Sequence, residues 1–460
     1  MLSMKHKNDR IVMRIFVKGI FELTSPCLIG SGKNEQTDID FMKNHEGKAF
    51  IPGTTLAGVF RNYLVSTGLS PEVIATMFGQ SVEESGQTTL SRLFVSDAYI
   101  VDNNRNCLEV RDGVRIDNKT KTAIDRGKFD YEVVKKGTKF LLKLELILRE
   151  CDDTEKLQTV LFSLLDAMQK EKMAIGAKKQ RGFGNGKLRD VEVLRLDFTE
   201  KEKKHEYVGQ WIHFDWKTFV GNIRVDELNR NVDLGMKVKK TIKIKVPLQN
   251  VSSLMIRNYR NSTGFAGKSV DYAQLCSDGT PIVPGTSWAG AFRHRMQQMM
   301  EQLYESSGQT AFSDLAREKI NDLFGYVDEQ KKQSKMSRIR FHEAVVSKGN
   351  LIKNTRVKID RFTGGAADGA LFDELPVYGG ETQLVIEIQE AKDEDVGLLL
   401  LALKDLLKGY LAIGGETSIG RGIFSGSAIF LETDQGEVQL NEDNERNYFR
   451  ALYKVICQSK

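Results

Sequence analysis

Two short segments of this sequence place a proline and a glycine directly before a helix-like pattern. They are Ile51–Leu64 (IPGTTLAGVFRNYL) and Val283–Met296 (VPGTSWAGAFRHRM), and each carries an arginine about two helical turns after the glycine. Unpaired backbone N–H groups at a helix N-terminus, together with the helix dipole, form a phosphate-binding site. The alternative is that Pro-Gly only starts the helix, with the hydroxyls of Thr54 and Thr55 as caps. The candidate phosphate-binding residues are Gly53, Thr54, Arg61, Gly285, Thr286 and Arg293.

Two glycine-rich loops are the second feature that could bind a ligand. They lie in Ala174–Gly186 (AIGAKKQRGFGNG) and Ala412–Gly426 (AIGGETSIGRGIFSG), each after a leucine-rich helical pattern. Glycine lets the backbone approach a ligand closely, and basic side chains beside it neutralise phosphate charge. The alternative is a tight turn between a helix and a strand, with solvated lysines. The candidate residues are Lys178, Lys179, Arg181, Gly182, Arg421 and Gly422.

The elements that position these residues occur twice in the chain. The Pro-Gly segments are 232 residues apart (52 to 284), and SRLFVSDA recurs as SRIRFHEA after 246 residues (91 to 337). VRIDNKTKTAIDRGKFD recurs without a gap as VKIDRFTGGAADGALFD after 243 residues (114 to 357). The glycine-rich loops follow in the same order. Four matching blocks in one order establish an internal duplication.

Each copy shows an α+β pattern. The segment Ile11–Thr24 alternates apolar and polar residues as a half-buried strand does. After the strand Thr138–Leu148, apolar residues from Leu157 to Met168 follow helical spacing, and Lys187–Leu196 returns as a strand. This order predicts two tandem ferredoxin-like domains with long insertions. The predicted boundaries are 1–196 for the first domain, 197–238 for an ordered linker that contains Trp211 and Trp216, and 239–460 for the second domain.

Composition limits the class of protein without deciding its function. A chain of 460 residues favours two domains, and its net charge of +5 permits a nucleic-acid partner. Its five cysteines form no CxxC pair, which argues against a zinc ribbon or a disulfide framework. The polar N-terminus and the absence of a long apolar stretch predict a cytoplasmic protein with no membrane partner.

Taken together, these motifs resemble the RAMP superfamily, and specifically the repeated backbone subunits of type III CRISPR effector complexes. The fusion of two copies resembles the two-domain subunits of type III-D variants. The resemblance implies RRM-like RAMP domains that bind CRISPR guide RNA and single-stranded target RNA. It also implies partner subunits, namely adjacent backbone subunits and a large signalling subunit.

The third repeated block resembles the thumb of this family, a β-hairpin insertion that crosses the guide duplex and turns out a target nucleotide. In Val114–Asp130 and Val357–Asp373, apolar residues alternate with basic ones as in a one-sided strand. Phe129 or Phe372 is expected to wedge beside a base, although a place in the core is the more common fate of phenylalanine. Asp117 and Asp360 have an alternative role as turn residues. The candidate RNA-binding residues here are Arg115, Lys358, Arg361 and Phe372.

The resemblance also implies a catalytic aspartate on the loop before the Pro-Gly helix. Asp38 fits best in the first copy, with Asp40 second, because Asp38 lies three residues before Phe41 and five before Lys43. Asp271 is the corresponding carboxylate of the second copy. The alternative for each is an ordinary solvated aspartate on a loop. One carboxylate without an acidic partner predicts a loosely bound divalent cation, Mg²⁺, for which Asp38 is the possible ligand.

The predicted function is therefore an endoribonuclease that cuts guide-paired target RNA at intervals. The 2′-hydroxyl would attack the neighbouring phosphate beside a nucleotide held out of the duplex. One alternative is a non-cleaving RNA-binding scaffold. The other is an endoribonuclease that processes CRISPR precursor RNA, and two thumb-like hairpins argue against it.

Overall fold

A computed structural model describes residues 10–32, 37–81, 88–101, 107–117, 123–228, 232–237, 240–258, 270–328 and 332–458. The chain divides into two compact units. Unit 1 comprises residues 1–110, 131–179 and 183–239, and unit 2 comprises residues 111–130, 180–182 and 240–460. Two pieces of the first sequence copy, 111–130 and 180–182, thus belong to unit 2.

The main sheet of the first half of the chain is antiparallel and has helices packed against it, and two further strand pairs lie outside this sheet. Its strand order is β10-β1-β9-β6-β2, with β5 also paired to β9. The strands are β1 Ile11–Leu23, β2 Phe50–Ile51, β3 Gln80–Ser81, β4 Thr88–Thr89, β5 Leu93–Val95, β6 Ala98–Ile100, β7 Leu108–Ile116, β8 Ala123–Val134, β9 Lys139–Arg149 and β10 Gly186–Asp197. The helices are α1 Gly53–Ser66, α2 Pro71–Phe78, α3 Thr154–Gln169 and α4 Lys204–Ile212.

The core of unit 1 lies between this sheet and the helices α1 and α3. Alternate residues of β9, such as Leu142, Leu144 and Leu146, are buried, which is the period-2 pattern of a sheet with one covered face. The helix α3 begins where the Asp153 carboxylate accepts a hydrogen bond from the Lys156 backbone N–H at 3.1 Å.

The segment 197–238 belongs to unit 1, and aromatic residues between 198 and 219 pack on the face of the sheet that carries Phe16. Phe16 of β1 stacks on Phe214, with ring centroids 3.9 Å apart, and Trp216 meets Phe214 edge-on at 5.0 Å. Lys18 lies 4.3 Å from the ring centroid of Phe219 and donates a hydrogen bond to its carbonyl oxygen. This aromatic cluster has no counterpart in the second half of the sequence.

Unit 2 contains a sheet of corresponding order. Its strands run β19-β25-β11-β27-β28, with β26 paired to β11. The strands are β11 Thr241–Asn250, β12 Ser253–Leu254, β13 Arg257–Asn258, β14 Tyr272–Gln274, β15 Cys276–Ser277, β16 Thr280–Val283, β17 Tyr326–Asp328, β18 Gln333–Lys335, β19 Ile339–Phe341, β20 Ala344–Val345, β21 Asn350–Leu351, β22 Asn354–Ile359, β23 Ala366–Leu375, β24 Val377–Tyr378, β25 Glu381–Gln389, β26 Phe424–Ser425, β27 Phe430–Thr433 and β28 Gly436–Gln439. The helices are α5 Gly285–Ser306, α6 Phe312–Phe324, α7 Asp393–Leu407 and α8 Glu442–Gln458.

The core of unit 2 joins its sheet to α5, α6, α7 and α8. Trp288, Phe292 and Met296 of α5 are buried, and so are Leu399 and Leu403 of α7. In the described part of the chain, no helix is both long enough and apolar enough to cross a membrane.

Candidate nucleic-acid interface

Both helices that follow a Pro-Gly pair begin at the glycine. The N-caps of α1 and α5 are Pro52 and Pro284, and neither helix has a side-chain cap, so the expected threonine caps are wrong. A Cβ atom on Gly53 would lie 2.3 Å from the Val95 carbonyl oxygen. A Cβ atom on Gly285 would lie 2.2 Å from the corresponding oxygen of Phe341. Glycine is therefore required because each helix start packs against the end of a strand.

A cleft in unit 1 brings two of the predicted segments together. It has a volume of about 410 Å³. Thr54 comes from the first turn of α1, Lys179 comes from the glycine-rich loop, and Gly58 leaves the helix surface open between them. The lining residues are Leu28, Ile29, Gly30, Thr54, Thr55, Gly58, Val59, Gly176, Ala177 and Lys179. A helix N-terminus, small side chains and a lysine at one cleft suit a phosphate of an extended polymer.

The glycine-rich loops close on themselves in the same way in both units. A Cβ atom on Gly184 would lie 1.8 Å from the Ile175 carbonyl oxygen, and one on Gly422 would lie 1.8 Å from that of Ile413. Both glycines have positive φ, at 75° and 73°. Gly422 is buried, so its role in the structure is to close the loop.

Lys178 has a local partner in the first loop. Its Nζ lies 3.0 Å from the ring centroid of Tyr131, which fixes the lysine over the base of β8. The 3-10 turn Lys179–Arg181 follows, with Arg181 exposed and Gly182 buried. Of the predicted residues on this loop, Lys179 lines the cleft and Arg181 faces solvent.

The second loop differs in its chemistry. Arg421 is only 1% exposed, and its guanidinium forms ion pairs with Glu374 of β23 and with Glu416. Arg257 also pairs with Glu416. The expectation that Arg421 contacts phosphate is therefore wrong, because the side chain is inside the protein and bound to carboxylates.

The two arginines on the Pro-Gly helices also differ. Arg61 is exposed on α1. Arg293 is half-buried and donates a hydrogen bond to the Asn321 side chain at 2.8 Å, and it lies 5.9 Å from the ring of Phe324. Burial lowers the pKa of the Arg293 guanidinium, and the nearby charge of Arg181 lowers it further. Arg293 therefore links α5 to α6, whereas the Arg61 side chain is exposed on α1.

Both predicted thumb segments contain a β-hairpin. The first pairs β7 with β8, although residues 118–122 of its tip lie outside the described residues. The second pairs β22 with β23 from Asn354↔Glu374 to Ile359↔Ala366. The predicted cations Arg115, Lys358 and Arg361 are exposed.

The phenylalanines expected to act as wedges pack at the bases of these hairpins. Phe372 meets Tyr272 edge-on, with ring centroids 5.9 Å apart. The ring of Phe129 lies over Gly113, where an added Cβ would be 2.4 Å from the ring. Phe372 is half-buried there, and its contact with a base stays a prediction.

Sequence analysis missed the residue that does project. Phe362 is 98% exposed in the turn of the second hairpin. The Asp360 carboxylate orders that turn by accepting the backbone N–H groups of Phe362 at 2.9 Å and Thr363 at 2.8 Å. The hydrogen bonds from Thr363 and Phe362 lower the pKa of the Asp360 carboxyl group. Because its side chain accepts these backbone N–H groups, Asp360 is a turn residue. The sequence does contain a signal for Phe362, because an apolar residue stands between Asp360 and Gly364 in a turn-like segment.

Asp38 and Asp271 occupy equivalent positions in the two units. The residue after Asp38, Ile39, bridges in parallel to Tyr131 at the base of the first hairpin. The residue after Asp271, Tyr272, pairs in parallel with Glu374, which lies 243 residues after Tyr131 (131 to 374). Each aspartate thus lies at the point where the loop meets the hairpin.

The surroundings of the acidic side chains differ. Asp38 is half-buried, whereas Asp271 is exposed and its carboxylate accepts the Asp373 backbone N–H at 2.7 Å. Asp40 accepts a hydrogen bond from the Thr37 hydroxyl. The residue that corresponds to Asp40 in unit 2 is Ala273, which has no carboxylate. The equivalence across the duplication is therefore between Asp38 and Asp271.

Glu132 holds the segment that follows Asp38 through two contacts. Glu132 accepts the Phe41 backbone N–H at 3.1 Å and pairs with Lys43 at 2.8 Å. These contacts attach the segment after Asp38 to strand β8. Among the described residues, no cluster of three or more His, Cys, Asp or Glu side chains is arranged to hold a metal ion.

A duplicated α+β unit with a glycine-rich loop and a hairpin insertion in each copy defines the class of protein. Residues 20–187 and 249–425 both match the sequence profile of the RAMP superfamily, and the chain belongs to that superfamily. RAMP proteins include CRISPR-associated RNA-binding subunits, and some of them are ribonucleases. No curated protein matches this chain.

Proposed function

We propose that this chain is an RNA-binding backbone subunit of a type III CRISPR effector complex and that it cuts guide-paired target RNA. The observation that carries the proposal is the equivalence of Asp38 and Asp271 at the bases of two hairpins. A duplicated acidic position beside a duplicated hairpin suits a substrate that repeats along its length, as a guide-target duplex does.

Guide binding is proposed for the cleft of unit 1. Thr54, Lys179 and the N-terminus of α1 would contact the sugar-phosphate backbone, with Arg61 exposed on the same helix. These groups recognise phosphate and not base edges, so binding would show little base preference and strong salt dependence. The strand order β10-β1-β9-β6 supports the ferredoxin-like assignment, because it places the first and third core strands at the centre of the sheet.

Cleavage is proposed to use the RNA's own 2′-hydroxyl as the nucleophile. The Asp38 carboxylate takes the 2′-hydroxyl proton, a bond forms between O2′ and phosphorus, and the bond to O5′ breaks. The leaving 5′-oxygen takes a proton from water, so the products end in a 2′,3′-cyclic phosphate and a 5′-hydroxyl. An in-line arrangement of O2′, phosphorus and O5′ requires the nucleotide to leave the helical stack, which is the proposed role of the hairpins.

A divalent cation, Mg²⁺, is proposed as a partner of the RNA and not as a resident metal. Asp38 supplies one carboxylate, and Mg²⁺ sites often combine one or two carboxylates with substrate phosphates. Bound there, the cation would stabilise negative charge on the phosphate.

A non-cleaving role is the second candidate for unit 2. The Asp271 carboxylate is engaged by the Asp373 backbone N–H at 2.7 Å, which is a structural contact at the hairpin base. Unit 2 would then bind RNA as a scaffold while unit 1 cuts.

The test is a cleavage assay on the assembled complex with guide and end-labelled target RNA. Wild-type complex is expected to give discrete products with 2′,3′-cyclic phosphate ends, and Asp38→Ala is expected to lose one product while guide binding is retained. If the Asp38→Ala, Asp40→Ala and Asp271→Ala complexes all give the full set of products, the cleavage part of the proposal is wrong and the chain is a scaffold.

A further inference from the structure

The face of the unit 1 sheet that is turned away from the core carries two exposed aromatic rings. Phe94 of β5 is 50% exposed, and Tyr99 of β6 is 47% exposed. Phe94 lies opposite Glu145 of β9, and Tyr99 lies opposite Leu141. The alternate residues of β9, such as Leu144, are the ones that enter the core. Since residues opposite each other on paired strands share a face, both rings stand on the uncovered side, the outer face of this sheet.

Two contacts fix the orientation of Tyr99. Phe50 of β2 pairs with it and stacks on its ring, with centroids 5.6 Å apart and an angle of 20° between the rings. The Tyr99 hydroxyl donates a hydrogen bond to the Asp97 carboxylate at 3.4 Å. A side chain that is already ordered loses little conformational entropy when it binds a ligand. Tyr99 is therefore a preorganised surface for a flat ligand.

Two lysines lie beside these rings on the outer face. Lys143 lies on β9 between the two positions that are opposite Phe94 and Tyr99, and Lys139 lies on the far side of the position opposite Tyr99. The Lys143 ammonium is 5.7 Å from the ring centroid of Trp216. In the part of the chain that the structure describes, neither lysine forms an ion pair with a carboxylate. Both positive charges are thus available to an anionic ligand.

Most other charges of this face cancel one another. Three further cations form ion pairs across the strands, namely Arg14 with Glu145, Lys18 with Glu192 and Arg189 with Glu22. Asp97, beside Tyr99, accepts the Gly53 backbone N–H at 2.7 Å. The outer face therefore combines two exposed rings with an excess of positive charge.

The corresponding face of unit 2 has different residues. Arg340 stands opposite Glu387 where Phe94 stands opposite an acid in unit 1, and the two charged groups form an ion pair at 3.4 Å. By the same register, Val385 takes the place of Lys143. The rings and the lysine are thus particular to unit 1 and are not needed to build the duplicated fold.

We infer that the outer face of the unit 1 sheet binds single-stranded RNA, with unpaired bases stacked on Phe94 and Tyr99. The phosphates between these bases lie near Lys139 and Lys143. Aromatic side chains stack on unpaired bases of any identity, and a duplex hides the faces of its bases, so the ligand is single-stranded. Unpaired lysines favour a polyanion over a protein partner, because charged residues are depleted at the centre of protein interfaces.

The inference rests on the proposed function for the kind of polymer, and it adds a second RNA site to the one at the cleft. The cleft is lined by Thr54 of α1 and by Lys179, whereas α1 packs against the opposite, core side of the sheet. A single-stranded segment outside the guide-target duplex is the substrate part that this second site suits.

The first measurement locates the site on the full chain. A single-stranded RNA of about ten nucleotides, within the usual range for such sites, carries 4-thiouridine and is cross-linked to the chain by irradiation. Mass spectrometry then identifies the cross-linked peptides. We expect cross-links in the peptides that carry Phe94 and Tyr99, in the wild-type chain and also in Lys179→Ala. Cross-links confined to the cleft or the hairpins would contradict the inference.

Fluorescence anisotropy with the same RNA measures affinity in the Lys179→Ala background. Phe94→Ala and Tyr99→Ala are each expected to weaken binding by roughly 5- to 150-fold, the range for loss of one stacked base. Lys143→Ala is expected to reduce the slope of log affinity against log salt by about 0.7, the value for one phosphate of a single strand. Tyr410→Ala is the matched control, because it removes a tyrosine of unit 2 that is 73% exposed, and it should change neither quantity.

Unchanged affinity in both ring variants overturns the inference, and so does equal competition by a duplex RNA of the same length. Ring variants that keep their RNA affinity but lose another subunit from the assembled complex would assign the face to a protein contact, which also overturns it. Failure of the proposed function is seen instead in guide binding by Lys179→Ala and in the cleavage products of Asp38→Ala. Neither of those measurements depends on the two rings, so the two failures are distinguishable.

Discussion

Arg421 and Glu374 form an ion pair in the interior of unit 2, at the position where Phe183 and Tyr131 meet in unit 1. The aromatic pair has ring centroids 6.2 Å apart in edge-on geometry, whereas the ionic pair has almost no solvent exposure. In both units this contact joins the glycine-rich loop to the base of the hairpin. The glycine-rich loop is therefore joined to the hairpin base by an aromatic contact in unit 1 and by an ion pair in unit 2.

The first prediction concerns that pair. Arg421→Phe alone leaves the buried Glu374 carboxylate with only Arg356, which lies 2.7 Å away, so unfolding free energy should fall by roughly 3 kcal/mol. The double variant Arg421→Phe with Glu374→Tyr transplants the aromatic pair of unit 1 and should recover most of that loss. Urea denaturation measures both, and a double variant no more stable than the single one would show that the two junctions are not interchangeable.

The second prediction concerns the catalytic position. Asp38→Ala should slow one cut in the target by roughly 10² to 10⁴, the usual contribution of a general base. Asp271→Ala should affect a different cut, displaced by one domain repeat, if unit 2 cleaves. Quantified cleavage ladders from complexes with equal guide occupancy give the rates.

Asp40→Ala is the matched control for Asp38→Ala, because it removes a carboxylate from the same loop. It should leave every cut in place, since its counterpart Ala273 carries no acid. Loss of a band with Asp40→Ala and not with Asp38→Ala would assign the catalysis to Asp40.

The third prediction concerns the cleft of unit 1. Lys179→Ala should weaken guide binding for all RNA sequences alike and reduce the slope of log affinity against log salt by about one. Lys172→Ala is the control, because Lys172 is an exposed lysine that does not line the cleft. Equal effects of the two substitutions on affinity and salt slope would remove the cleft from the RNA path.

The fourth prediction concerns the tip of the second hairpin. Phe362→Ala removes a side chain that is 98% exposed, so stability should be unchanged. If the ring stacks on a base, target binding beside that unit should weaken by about 1 to 3 kcal/mol while guide binding is retained. Phe372→Ala should instead lower the unfolding free energy, because that ring packs on Tyr272.

Deletions give a coarser version of the same test. Shortening residues 118–128 or 362–370 should preserve guide binding and disturb cleavage of the target beside that hairpin. Unchanged cut positions and rates in both deletions would refute the thumb assignment.

The fifth prediction concerns acid stability of unit 2. Burial would raise the pKa of Glu387, but its hydrogen bond with His342 and the charges of His342, Arg340 and Lys243 outweigh burial and lower it to about 2. A lowered carboxylate pKa stabilises the fold fully above its unfolded value, near 4.5, and this contribution is lost as pH falls toward 2.

We therefore expect unit 2 to lose up to about 3 kcal/mol between those pH values through this group. Glu387→Gln should be less stable at neutral pH and should flatten this part of the pH profile. Thermal unfolding monitored from pH 5 to 2 is the measurement, and an unchanged profile in Glu387→Gln would assign the acid sensitivity to other carboxylates.

Much of the organisation follows from the sequence by itself. The duplication was visible because Pro-Gly, the hairpin segment and the glycine-rich loop recur in order. The starts of α1 and α5 also follow from it, since in each case a proline and a glycine stand directly before a helical pattern. Such features depend on residues close together in the chain, where period and backbone geometry are decisive.

The tertiary structure decided which of the candidate side chains face solvent. Arg421 and Phe372 are residue types that are common on RNA-binding surfaces. Arg421 instead pairs with Glu374, which is 47 residues away, and Phe372 packs on Tyr272 at the hairpin base. The exposed Phe362 was missed for the same reason. Exposure depends on what lies opposite a side chain in space, and those neighbours come from distant parts of the chain that no local pattern records.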